Sequence, residues 1–313
     1  MSAETTAAGA AAGNGTGVIH DIGYQSYDGP RLGRPQILLA LGWHSLKSAF
    51  GIGRGAKAKI VPVFTFAVMC APAVVNAIQL AVSGSHTRVV PYDTYRPVAL
   101  RVIVLLVFLA AQAPEVVSRD LRSHVLPLYF ARPIRRADYP LAKLAAFFAA
   151  CLVMIEVPLL VLYVGTVTQV GTGSAVWSET RALIPGLLLG LAWAAVAASL
   201  GLLFASFSSR RAYATGSVAI FFFLTWTLAL LLTHIGEDAF GPGLGNPSAL
   251  ARLAGLISPF TALDGMRQWL GGTSPGPVPG PGGYGALYGI AVLAFLVAGA
   301  GGLLLRYRKV GVA

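Results

Sequence analysis

The most informative polar residues lie in one mixed-charge segment, residues 114–144. Glu115, Asp120 and Asp138 stand there among arginines and beside large apolar residues such as Leu126. Apolar anchors with a charged rim are typical of a short helix that docks on a protein partner. A lipid-facing basic loop is the alternative, and composition alone favours it. The segment therefore predicts an interaction surface, either for a protein or for lipid.

The chain lacks the sequence signatures of common catalytic and cofactor sites. The glycine-rich stretch at 51–59, GIGRGAKAK, has the wrong spacing for a phosphate-binding loop, and no Gly-x-Ser-x-Gly occurs. The five histidines do not pair at i, i+4, and Cys70 and Cys151 lie far apart in the sequence. We therefore expect no enzyme activity, no metal and no cofactor in this chain.

The elements that must position these residues are membrane helices. Of the 313 residues, 56% are hydrophobic and only 11% are charged. A soluble domain carries about 25% charged residues, because its surface must stay solvated. A chain with so few charges keeps most of its surface in lipid.

Six stretches are long and apolar enough to cross a bilayer as helices, which requires about 20 residues each. They cover residues 60–82, 97–114, 142–167, 182–205, 213–234 and 285–305. The short alternating segments that mark a membrane β-barrel are missing. The predicted fold is therefore an all-α membrane protein with six transmembrane helices.

The lysines and arginines predict the orientation of these helices. With both termini in the cytoplasm, 17 of the 23 basic residues fall on the cytoplasmic side, as the positive-inside rule requires. The net charge of +11 is then explained by topology and by anionic lipid. We therefore predict a multi-pass protein of the cell membrane that contacts lipid and binds no nucleic acid.

The domain prediction has three parts: a disordered tail at 1–30, a cytoplasmic interfacial helix within 31–59, and the six-helix domain at 60–313. The interfacial helix is indicated by a stripe of large apolar residues spaced 4, 3 and 4 apart. The stripe consists of Leu39, Trp43, Leu46 and Phe50. A simple membrane anchor is the alternative interpretation of this segment.

The connection before the last span contains a further apolar segment, residues 248–270, which is helical in period and interrupted at Pro259. It is too interrupted to span the membrane. We therefore expect a broken extracellular helix that either dips into the membrane or lies on its outer face.

Two ionisable residues, Glu156 and Arg101, fall within the predicted spans. Charge inside a span is costly, so such residues are candidates for function. Both lie toward the outer ends of their spans, where they could form an ion pair. A contribution to a substrate pathway and a structural ion pair are both open interpretations.

The segment after the second span resembles the first cytoplasmic loop of ABC-2 type ATP-binding-cassette transporter permeases. Members carry an acidic residue, a short helix and then a Pro-x-x-Arg-x-x-Tyr-x-x-x-Lys pattern. The corresponding residues here are Glu115, the stretch 118–130, and then Pro133, Arg136, Tyr139 and Lys143. The lead-in GYQSYDGPRLGRP at 23–35 is similar to that of actinobacterial members.

The resemblance implies a permease subunit of an ATP-driven exporter. It implies that a second permease copy completes the translocation pathway and that a separate ATPase subunit, which binds ATP and Mg, docks on the loop at 114–136. The coupling residues that it implies are Glu115, Arg119, Asp120, Arg122, Leu126 and Tyr129.

Two rival classes remain. A secondary transporter would be expected to show inverted repeats and acidic residues near the membrane midplane. A non-transporting membrane assembly or sensor protein would use the mixed-charge loop for another partner. The sequence leaves open the substrate, the direction of transport and the choice between homodimer and heterodimer.

Overall fold

The structure is a computed structural model of the chain. It describes residue 29 and residues 33–83, 99–131, 134–169, 172–238, 248–270 and 276–310. Apart from residue 29, the predicted tail lies outside these residues, as do Pro133 and the first two residues of the predicted second span.

Six long helices carry the apolar stretches, and all six are long and apolar enough to cross a membrane. They are α2 (Ala56–Ser83), α3 (Ala99–Val116), α6 (Asp138–Val167), α7 (Gly173–Ala205), α8 (Arg211–Asp238) and α11 (Gly285–Val310). The described residues contain no β-strand. The prediction of an all-α protein with six membrane-length helices is therefore confirmed.

Five shorter helices lie between or before the long ones. They are α1 (Arg34–Ala49), α4 (Ser118–Arg122), α5 (Leu126–Phe130), α9 (Ala249–Ala254) and α10 (Pro259–Trp269). A 3₁₀ turn at Gly282–Tyr284 precedes α11. The first helix begins where Gln36 accepts a hydrogen bond from the backbone N–H of Gly33, 2.8 Å away, and Pro35 favours the first turn.

The break between α9 and α10 has a local cause. Ser258 is extended and its hydroxyl accepts a hydrogen bond from the N–H of Phe260, while Pro259 occupies the first helical position. A proline there cannot continue a preceding helix but starts a new one well. The interruption predicted at Pro259 is thus the start of α10.

The long helices differ in how much of their surface the bundle covers. Within their most apolar stretches, 61% of the residues of α3 and of α7 are buried, against 28% in α2 and 22% in α8 and α11. Many large apolar side chains of α2, α8 and α11 are exposed. An apolar surface of this size is normal only where lipid or another protein covers it. α3 and α7 therefore lie near the centre of the bundle.

Candidate functional site

All six long helices have one terminus at the same end of the bundle, which we call the basic end. Tyr139 at the start of α6 contacts Tyr307 near the end of α11, with ring centroids 5.2 Å apart. Arg306 donates to the carbonyl of Ser206, just after α7, across 2.8 Å. Glu115, near the end of α3, pairs with Arg54 just before α2 and with Arg211 at the start of α8. The starts of α2 and α8 therefore lie at this end as well.

Glu115 is held by two arginines from other elements. Arg54, in the turn between α1 and α2, donates to Glu115 Oε2, and Arg211, the first residue of α8, lies 2.9 Å from Oε1. The turn brings Arg54 into place through Gly51 and Gly53, whose φ angles of 69° and 84° favour glycine. A carboxylate near a helix C-terminus is disfavoured by the helix dipole, so the two cations offset that cost.

Asp120 joins α4 to α6. Its Oδ2 lies 2.7 Å from Nζ of Lys143 and accepts a hydrogen bond from the hydroxyl of Tyr139 across 2.8 Å. The Lys143 side chain is only 5% exposed, so Asp120 is the counter-charge that allows a lysine to be buried there. The neighbouring hydroxyl of Ser118 donates to the carbonyl of Ala205, 2.6 Å away, which joins α4 to α7 as well.

Asp138 joins α6 to α1. Its two oxygens accept from Nε and Nη2 of Arg34 at 2.7 and 2.6 Å, and Oδ2 also accepts from the N–H of Arg135 at 2.8 Å. This two-pronged arrangement is the strongest geometry for an arginine and a carboxylate. The hydrogen bond to Asp138 raises the pKa of Arg34. The first turn of α6 is also a favourable place for a negative charge.

The three acids of this segment therefore face inward, and its outward side is cationic. Among the described residues of α4, α5 and the following turn, the exposed charged ones are Arg119, Arg122, Arg135 and Arg136. Among the described large apolar residues of 114–138, only Leu128 is well exposed, at 69% of its surface. We call Arg119, Arg122 and Leu128 the cationic face.

The predicted coupling residues thus separate into two groups. Arg119 and Arg122 are exposed, whereas Leu126 is buried and Tyr129 is half-buried against Tyr139, with ring centroids 5.5 Å apart. These last two, with Glu115 and Asp120, support the segment from inside. His124 adopts a left-handed conformation, with φ 51°, which turns the chain between α4 and α5.

The four residues of the predicted apolar stripe on α1 also differ in burial. Leu46 and Phe50 pack against the core, and the Phe50 ring lies 6.1 Å from that of Phe108. Leu39 and Trp43 stay 73% and 59% exposed. The helix is buried instead along Leu41, Ser45 and Ala49, and this second face follows the same helical spacing.

Glu156 lies in α6 beside Gly190 of α7, where a side chain larger than hydrogen would collide with its carboxylate. Its Oε2 is buried and has no hydrogen-bond partner among the described side chains. The side chain of Arg101 lies outside the described residues, so the proposed pair between the two stays a prediction.

Sequence reasoning did not identify the inward partners of the acids. Lys143 and Tyr139 were singled out only through the family pattern, and Arg54 and Arg211 only as topological charges. One signal was available: carboxylates at the ends of apolar helices need a cation nearby, because burying an unpaired charge is costly. Which cation serves each acid depends on tertiary contacts.

Among the described residues, no group of three or more histidine, cysteine or acidic side chains could hold a metal ion. No family model matches the chain, and a comparison with curated proteins finds no match. The functional interpretation therefore depends on the residues and contacts of this chain.

Proposed function

We propose that this chain is the transmembrane permease subunit of an ATP-driven ABC exporter in the cell membrane. A separate ATPase subunit, which carries ATP and Mg, docks on the loop at 114–136. A second permease copy or a homologue completes the translocation pathway. The resemblance of this loop to that of ABC-2 permeases motivates the proposal.

The observation that carries the proposal is the set of bonds between the loop and three membrane-length helices. Asp120 binds Lys143 of α6, Ser118 binds the end of α7, and Glu115 binds Arg211 of α8. A force applied to α4 would reach α6 and α7 through direct polar contacts, and α8 through Glu115 at the adjoining end of α3. A loop that only joins two spans needs no such connections.

The charge distribution supports a cytoplasmic position for this loop. The basic end gathers the basic residues at the starts of α2, α6 and α8 and at the ends of α3, α7 and α11. Short cytoplasmic connections carry an excess of lysine and arginine. In that orientation α1 lies at the cytoplasmic interface, α9 and α10 lie on the outer side, and both termini are cytoplasmic.

The cationic face also predicts which side chains the ATPase subunit presents at the contact. With the acids of the loop engaged internally, Arg119 and Arg122 require carboxylates on the partner, and Leu128 requires an apolar pocket. Complementary charge sets partner choice and association rate, while a buried apolar anchor contributes most to affinity.

Purification of the tagged chain from its native membrane tests the proposal, because an ATP-binding subunit should be recovered with it. We expect the two proteins to purify together and the chain to change the ATPase rate of that subunit. The double variant R119E/R122E should lower the recovered ATPase about tenfold or more, because two attractive contacts become repulsive.

The matched control is R308E/K309E, which reverses two exposed charges at the same end of the bundle. It should leave recovery of the ATPase unchanged. Failure of the wild-type chain to bind that subunit would contradict the proposed function. Equal losses in both double variants would show that net charge, not the cationic face, governs binding.

A further inference from the structure

An open apolar groove of about 410 Å³ lies between α1 and the first three turns of α6. Its principal walls are Leu38, Leu39, Trp43 and Leu46 of α1 and Leu141 and Ala145 of α6. The floor is formed by small residues, and the Arg34–Asp138 ion pair closes one end. The groove is thus almost free of polar groups.

The way α1 packs explains why the groove exists. Gly42 lies close to the backbone of Ala142, so the two helices approach each other there. Because α1 buries the side that carries Leu41, Ser45 and Ala49, the neighbouring Leu39 and Trp43 are left outside. They form a wall that no described residue covers.

The charge around the groove that no ion pair offsets is positive, because Asp138 at its end is engaged by Arg34. Residues 33–60 contain no aspartate or glutamate. Arg34 and Arg54 are engaged by Asp138 and Glu115, whereas Lys57 and Lys59 at the start of α2 are exposed. Lys47 stands over the ring of Trp43, 5.1 Å from its centroid, beside the groove.

We propose that this groove binds one anionic glycerophospholipid, with an acyl chain along Leu39, Trp43 and Ala145 and the phosphate near Lys47. The first turns of α6 belong to a membrane-length helix, so the groove faces lipid within one leaflet. The acyl chain matches the apolar walls, and the anionic headgroup matches Lys47, since the lining acid Asp138 is already neutralised by Arg34.

A second copy of the chain fits this groove less well. In a two-fold symmetric contact, each subunit presents the same patch to its partner. That contact would bring the Lys47 side chains of both copies to one patch, and residues 33–60 supply no acid to offset them. An anionic lipid removes this repulsion instead of creating it. The lipid proposal is independent of the proposed transport function.

Native mass spectrometry of the purified full chain in detergent tests the proposal, with phosphatidylglycerol and phosphatidylcholine of identical acyl chains as the probes. We expect one phosphatidylglycerol to bind about fivefold more tightly than phosphatidylcholine, the effect of one lysine beside an anionic lipid. The K47A variant should remove this preference while leaving weak binding of both lipids.

The double variant A145F/A149F fills the groove from α6 and should abolish the tight phosphatidylglycerol site. Its matched control is A71F, which places the same ring on an exposed part of α2 and should bind lipid like the wild type. Equal affinity of the wild type for the two lipids would overturn the proposal. Lipid binding that is unchanged both in the A145F/A149F variant and in the separate K47A variant would overturn it too. A dimer lost in A145F/A149F, with lipid binding unchanged, would assign the groove to a second copy.

Discussion

The two ends of the bundle are held together by different forces. At the basic end, Glu115, Asp120 and Asp138 each pair with a cation from another helix. At the opposite end, Asp264 pairs with Arg267 of its own helix, three residues away. There the elements are joined by close packing, with the ring of Tyr288 against Gly255 and Gly265.

The difference predicts which amino-acid substitutions each end tolerates. A paired buried charge is destabilising once its partner is lost, but the pair as a whole can be replaced by apolar residues at little cost. A tightly packed ring has no such substitute, because any added volume forces its neighbours apart. The basic end is therefore sensitive to charge and the opposite end to side-chain size.

The largest effect is expected from breaking the most deeply buried ion pair of the basic end, Asp120 with Lys143. Asp120→Asn keeps an oxygen acceptor but removes the counter-charge of Lys143, and it should destabilise the chain by about 3–5 kcal/mol. Thermal unfolding of the purified protein in detergent would measure the loss. An unchanged unfolding midpoint would show that Lys143 does not need Asp120.

The matched control for that prediction is the double variant D120N/K143M. It leaves no unpaired charge, so it should recover most of the lost stability. If the double variant is as unstable as D120N, the contribution of Asp120 is not its charge, and the contrast between the two ends no longer holds.

The next largest effect is expected at the opposite end. Gly265→Ala places a methyl group against the ring of Tyr288 and should destabilise the protein by about 1–3 kcal/mol. Gly301→Ala is the control, since a side chain there meets no atom within 4 Å. It should be neutral or slightly stabilising, because alanine favours a helix over glycine. Equal unfolding midpoints for the two variants would contradict the packing explanation.

The smallest effect is expected from Arg211→Ala. The side chain is 59% exposed, and Arg54 still neutralises Glu115 when it is removed. The loss should be at most about 1 kcal/mol and should diminish in high salt, which screens exposed charges. A loss as large as that of D120N, measured in the same unfolding assay, would mean that exposed pairs also hold the basic end together.

The number and class of the long helices could be predicted from the sequence, because long uninterrupted apolar stretches leave few alternatives in lipid. Their ends could not be predicted to the residue: α7 begins at Gly173, ahead of the predicted 182, since its polar first turns still hydrogen-bond as a helix. Pro259 begins α10, because a proline favours the first turn of a helix.

The pairing of the acids with cations inside the protein could not be predicted. The sequence shows that Glu115 and Asp120 stand near arginines, but their partners, Arg54 and Lys143, come from other elements. Likewise, both faces of α1 follow helical spacing, and only the approach of α6 decides which face is buried. Such choices depend on tertiary packing, which a single sequence does not state.

The central claim is that the cationic face lies in the cytoplasm, where an ATPase can reach it. Ser123→Cys, in a chain with Cys70 and Cys151 replaced by alanine, places a thiol at an exposed position beside Arg122. Ser174→Cys, exposed at the other end of the bundle in α7, is the matched control.

A membrane-impermeant maleimide added to intact cells should label the cysteine at 174 and should label the one at 123 only after the membrane is permeabilised. The reverse pattern, with the cysteine at 123 labelled in intact cells, would place the cationic face outside the cell and contradict the proposal.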